Sequence, residues 1–190
     1  MALVSTLWAA IGVSAAAHEV SATIGQISFE EGKVTVKMRM NAEAFIAGID
    51  LDGLMDTNAT DGSDEYDRLR ALPPGALSVE MTAAAPRILS GMTLTTDRGV
   101  DVPLSMTGFD PGELGNVALP RASFLTLEGT IPEAARSLRF GWGKGYGTLI
   151  LREMSEADSP YTGFLSGGME SPDLDLGRGG GFLGRLWPFD

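Results

Sequence analysis

The 190-residue chain contains no cysteine. That absence excludes disulfides, thiol nucleophiles, iron–sulfur clusters and cysteine-ligated zinc. Histidine is nearly missing as well: His18 is the only one, so no arrangement that needs two imidazoles can be built. Basic residues are scarce, 14 against 25 acids, and the resulting net charge of −11 argues against a nucleic-acid groove. No apolar run after the first 17 residues approaches the length of a membrane span. What is present is globular in character. With 44% hydrophobic and 21% charged residues, the chain can bury a sizeable core and is not expected to be disordered.

Residues 1–17 carry no charged side chain and end in Ala15-Ala16-Ala17, just before His18 and Glu19. This is the pattern of a secretory signal peptide with a small-residue cleavage site, departing from it only in lacking a basic residue near Met1. The expected location is therefore periplasmic or otherwise extracytoplasmic. An exported domain without cysteine must draw its stability from packing. Cleavage after Ala17 would set an α-amino group beside His18, but a copper brace needs a further imidazole that the chain lacks. An exposed first residue is the expectation.

The mature region opens with strand patterns. Val34, Val36, Met38 and Met40 alternate with Thr35, Lys37 and Arg39, the period of a half-buried antiparallel strand. Ser21–Phe29 is its expected partner across a hairpin at Glu30-Glu31-Gly32. Helical patterns follow over about 41–90. Asn41 is placed to cap a short helix carrying Phe45, Ile46 and Ile49. Ser63 is placed to cap a second, with Asp64 and Glu65 in its first turn, Arg68 and Arg70 in its last, and Pro73-Pro74 as its stop. A third carries Leu77, Met81, Ala84, Ala85 and Ile88 on one face and is expected to end or kink near Pro86.

Strands then resume. Met92–Thr96 is expected to pair with the alternating Val100–Thr107 across Asp97-Arg98-Gly99, with Pro103 marking an edge or an interrupted ladder. Phe124–Glu128 is another strand, and 138–142 with 146–151 read as a hairpin around Lys144. From Asp158 to Asp190, eight glycines and three prolines fill 33 residues, which reads as a loosened tail with a linker at Arg178–Gly181. About seven strands with one apolar face each must bury that face on a second sheet. The expected fold is mainly β, an immunoglobulin-like antiparallel sandwich spanning 18–157 with a helical insertion after the second strand; a small barrel is the alternative.

Four segments invite chemistry. Seven acids and no base lie between Asp50 and Asp67, and Asp50, Asp52, Asp56 and Asp61 offer the hard oxygen donors that a divalent cation such as calcium prefers. The register is not that of an EF-hand, because Asp61 and Asp67 stand where glycine and glutamate belong, and a solvated loop leading into a helix is the simpler reading. Gly141–Gly147 alternates glycine with Trp142, Lys144 and Tyr146. A phosphate loop would need a helix opening after it, so an aromatic pair packed in a hairpin, or a flat small-residue surface for a partner, is expected instead. Asn58-Ala59-Thr60 matches the glycosylation sequon by residue type alone. For catalysis, His18 is poorly placed to serve a nucleophile, and no pattern selects a carboxylate pair for hydrolysis. No cofactor is implied.

Three groups of residues, read in order, carry a family resemblance. They are Ala17-His18-Glu19-Val20; Phe45–Leu54 with Tyr66–Leu72; and Trp142–Arg152 with Tyr161–Leu165. Together they resemble the exported N-terminal region of bacterial HupE/UreJ-type membrane proteins, a superfamily associated with uptake of nickel or other metals. The resemblance spans most of 18–165. It implies histidine-bearing membrane helices beyond the exported domain, as a separate chain or a missing part, and it makes the glycine-rich tail a juxtamembrane linker. No transport residue can be carried over, since the positions that would bear it lie outside this sequence. The expected function is a non-enzymatic extracytoplasmic accessory or interaction domain beside a membrane-protein partner, with a weak divalent cation at the acidic loop. The alternative is a secreted calcium-dependent structural or adhesion module.

Overall fold

A computed structural model describes residues 21–55, 60–117, 119–155 and 160–177. The expected signal peptide, His18, Asp56, Asn58 and the Arg178–Gly181 linker lie outside the described residues. The molecule is mainly β, 36% strand and 21% helix, in two sheets. Strands β1 (Thr23–Glu30) and β2 (Lys33–Met40) form the anticipated hairpin. Glu30 pairs with Lys33, which leaves Glu31-Gly32 as a two-residue turn with both φ positive, 48° and 78°. That turn type has the twist of the flanking strands. Val34, Val36, Met38 and Met40 point into the core as the alternation required.

Three helices separate β2 from the next strand: α1 (Ala42–Ala47), α2 (Ser63–Arg70) and α3 (Pro74–Ser90). Asn41 caps α1 by accepting from the Ala44 N–H at 3.3 Å. The helix closes at Gly48, whose φ of 73° lets Gly48 and Ile49 donate back to the Phe45 and Ala44 carbonyls. Ser63 does not cap α2. Gly62 holds the cap position, because the chain has already turned there: the Gly62 carbonyl accepts from the Tyr66 N–H at 2.9 Å. Pro74 opens α3 at a position where its missing N–H costs nothing. The helix also runs through Pro86 to Ser90. Its last turn is held from outside, since Arg87 donates to the Phe45 and Ile46 carbonyls and Tyr146 to the Ile88 carbonyl.

Six further strands follow, the first five of them read in part from the sequence. They are β3 (Met92–Thr96), β4 (Ser105–Asp110), β5 (Ser123–Thr130), β6 (Ser137–Trp142), β7 (Leu149–Glu153) and β8 (Thr162–Leu165); a two-residue β9 (Leu174–Asp175) completes the set. The large sheet has the order β4-β5-β2-β1-β7-β8, the small one β3-β6-β9. Three pairings differ from expectation. β3 meets the chain beyond Asp97-Arg98-Gly99 only briefly, through the Thr95–Asp101 bridge and the hydrogen bonds Thr96 N–H to Val100 and Val102 N–H to Leu94, and its full ladder is with β6; after Val102 the chain crosses to the large sheet, and Pro103, which has no N–H to give a ladder, sits in that crossing. β6 and β7 are not a hairpin but belong to different sheets. β7 joins β1 in parallel, so the large sheet is not wholly antiparallel. Strands β8 and β9 lie within the segment expected to be loose, and Leu165 and Leu174 are buried there. The inner faces of both sheets share one hydrophobic cluster with α1 and α3, including Val36, Phe45, Met81, Leu127, Phe140 and Leu151.

Candidate functional site

The acidic loop meets the glycine-rich segment directly. Leu51 N–H donates to the Gly145 carbonyl at 2.9 Å. The Asp52 carboxylate accepts from the backbone N–H groups of Gly145 at 2.7 Å and Gly147 at 2.9 Å. Asp50 turns the chain into this clamp by accepting from the Asp52 N–H at 3.0 Å. Gly145 and Gly147 have φ of 83° and 67°, which lets their amides converge on one acceptor. A phosphate cradle would use such amides for its ligand; in this fold an internal carboxylate already occupies them. Beneath the clamp, Phe45, Trp142 and Tyr146 pack edge to face, with Phe45–Tyr146 and Trp142–Tyr146 centroids 5.0 and 5.2 Å apart. The Trp142 indole donates to the Gly147 carbonyl at 3.0 Å. The expected aromatic packing is therefore present without the hairpin.

Of the four acids read as cation ligands, Asp50 and Asp52 serve this clamp, Asp61 lies exposed in the turn before α2, and Asp56 is outside the described residues. Among the described residues, no three acids or histidines come together to hold an ion.

A second charged site has no counterpart in the sequence reading. Glu43, in the first turn of α1, is 0% exposed. Its Oε1 lies 2.9 Å from Nε of Arg121, whose side chain is 7% exposed. Arg121 also donates from Nη2 to the carbonyls of Arg70 and Leu72 at 2.8 and 3.1 Å, closing the C-terminal end of α2 with a positive charge where the helix dipole favours one. Arg70 is buried too, with its guanidinium 5.1 Å from the Tyr66 ring centroid. Burial pushes the Glu43 carboxyl above its ordinary range, while Arg121 and Arg70 pull the other way. Burial likewise raises the Tyr66 phenol, to which the Asn41 amide donates at 2.7 Å. Over this group lies a cavity of ≈ 340 Å³, bordered by Glu43, Arg70, Arg121 and the segments 113–117 and 119–122. Glu43 and Arg121 gave no signal in the sequence, where a glutamate amid alanines reads as the wet side of a helix.

A third feature is the outer face of the large sheet. The pairing register places Asp110, Phe124, Arg39, Ile24, Ile150 and Phe164 in one row across all six strands. Phe124 is 49% and Phe164 71% exposed. The adjacent row carries Lys37 and Arg152, so the middle of this face is basic on a protein of net charge −11.

Comparison with known proteins finds no family model that matches the chain and no similar curated protein.

Proposed function

We propose that the chain is a non-enzymatic accessory domain that works outside the cytoplasm and docks on a membrane-protein partner through the outer face of its large sheet. The reading keeps the resemblance to the soluble part of HupE/UreJ-like metal-uptake proteins. It takes the two-layer architecture as an immunoglobulin-like sandwich elaborated by helices, with the parallel β1–β7 pair as its departure. The single observation that carries it is the row Phe124–Arg39–Ile24–Ile150–Phe164. An antiparallel face turned to water ordinarily alternates to polar side chains, and two exposed phenylalanines there favour contact with another surface. The surrounding Lys37, Arg39 and Arg152 select a partner whose docking surface is acidic at its rim. The Asp52 clamp needs no ion in this account.

The test combines location and contact. A periplasm-dependent reporter fused after Gly177 should be active, and an inactive reporter would remove the extracytoplasmic part. A photo-cross-linking residue at Phe164 should capture one membrane-fraction protein in cells of the source organism, whereas the same residue at exposed Val79 on α3 should not. Equal capture at both positions, or none at Phe164, would discard the docking face.

A further inference from the structure

We infer that two copies of the chain join edge to edge through β8, each pairing Thr162–Leu165 with the same strand of the other about a two-fold axis at Gly163. The inference uses the edge of the large sheet and not its face, so it does not depend on the docking reading. It starts from the backbone bonds around β7. The Thr23 N–H donates to the Thr148 carbonyl and the Met154 N–H to the Ile27 carbonyl, which turns the even-numbered residues from 148 to 154 toward the parallel neighbour β1. The odd-numbered residues therefore face β8, and the Glu153 N–H does donate to the Tyr161 carbonyl at 2.8 Å. Leu151 lies opposite Gly163 and Leu149 opposite Leu165. Gly163 and Leu165 thus spend their backbone groups on β7, while Thr162 and Phe164 turn theirs outward. β8 is the last strand of its sheet. Two N–H and two C=O groups stand in a row there, with no strand beyond them among the described residues.

The other sheet edges are guarded. The chain at Val100–Val102 covers β3, β4 is irregular between Met106 and Gly108, and β9 is two residues long. β8 reads Thr-Gly-Phe-Leu, with neither charge nor bulge, and Phe164 beside it is 71% exposed. What fits this edge is a copy of itself. A second β8 turned antiparallel about Gly163 sets Thr162 of one copy opposite Phe164 of the other. Each such pair exchanges two hydrogen bonds, four in all, and sets a β-branched side chain against an aromatic one. Gly163 brings no side chain to the axis. Charge does not oppose the contact locally: the two Arg152 residues, one strand in, are kept about 14 Å or more apart by the strand spacing, beyond the screening length of about 10 Å. Antiparallel pairing also keeps both outer faces on one side, so two six-stranded sheets become a single surface of twelve strands.

The contact is small, so the dimer is expected to be weak and reversible, with a Kd on the order of 100 µM. Sedimentation equilibrium of the exported chain from about 10 µM to about 1 mM should show a monomer–dimer equilibrium. Added salt should strengthen it, because each copy carries a net charge of −11. A monomer at every concentration and salt overturns the inference. Thr162→Pro removes an outward N–H that β7 does not use, and with it two of the four hydrogen bonds. Association should weaken by about tenfold or more at an unchanged melting temperature. Undiminished association of a folded T162P protein overturns the assignment to this edge. A second arm needs no proline. The chain has no cysteine, so T162C and F164C proteins can be mixed and oxidised on a clean background. The pairing brings these two positions together with Cα atoms about 5.5 Å apart, within disulfide reach. Bridges between T162C and F164C should therefore predominate over bridges within either variant, whereas the mixture expected from random collision overturns the register.

Discussion

Asp52 and Glu43 are both carboxylates that join distant parts of the chain, and they do so in opposite ways. Asp52 is exposed and has each oxygen engaged by a backbone amide, at 2.9 and 2.7 Å. Glu43 is fully buried and held by charge, 2.9 Å from the Arg121 guanidinium and under the pull of Arg70. The clamp is therefore a finished structural joint. The buried pair is a costlier joint, because both of its charges are taken out of water.

Breaking the buried pair should produce the largest effect. Arg121→Ala strands the Glu43 charge and removes a cap from α2, so urea unfolding should show a loss of about 3–5 kcal/mol. The double replacement Glu43→Leu with Arg121→Met should recover most of it, because an apolar pair removes the desolvation penalty altogether. If the single and double variants are equally unstable, the pair is not the source of the loss. Opening the clamp should cost less. Asp52→Ala removes one exposed acceptor from two amides that water can then reach, and about 1–2 kcal/mol is expected from the same measurement.

A pH series separates the two acids further. The folded-state affinity of Glu43 for its proton lies above the ordinary value of 4.5, so the folded protein holds that proton more tightly than the unfolded chain. Its contribution to stability is therefore largest at low pH and declines as pH rises from about 4.5 through the raised value. Melting temperatures of Glu43→Gln should lack this decline, and the difference from the unmodified protein should grow with pH over that window. A constant difference would contradict the assignment. The smallest effect is expected from cations. With Asp52 already engaged, millimolar Ca²⁺ or Ni²⁺ should move the melting temperature by less than about 1 °C, whereas a rise of several degrees would reveal a bound ion.

How much of this was legible in the sequence depended on the range of the interaction. Alternation at Val34–Met40 fixed which side chains of β2 face inward, and Asn41 marked the start of α1, because both are decided within a few residues. Alternation says nothing about which strand lies alongside. Hence alternation finds the short contact of Met92–Thr96 with its nearest successor but not its longer ladder with β6, and it joins β6 to β7, which lies in the other sheet. Short runs such as Thr162–Leu165 were hidden among glycines, since their burial depends on β7 alongside them. The same rule governs the sites. Asp52 drew notice as one oxygen donor among several, but its partners lie 93 and 95 positions away. Glu43 drew none, because only tertiary packing covers the face of α1 on which it sits.

The parallel pairing of β1 with β7 sets a schedule for folding. Thr23–Ile27 must wait for Leu149–Glu153 before its second ladder can close, a late and slow kind of encounter. During that interval a central strand presents an unpaired backbone to neighbouring molecules. A truncation ending before Leu149 would make that interval permanent, so such fragments should accumulate as aggregates rather than as smaller working domains.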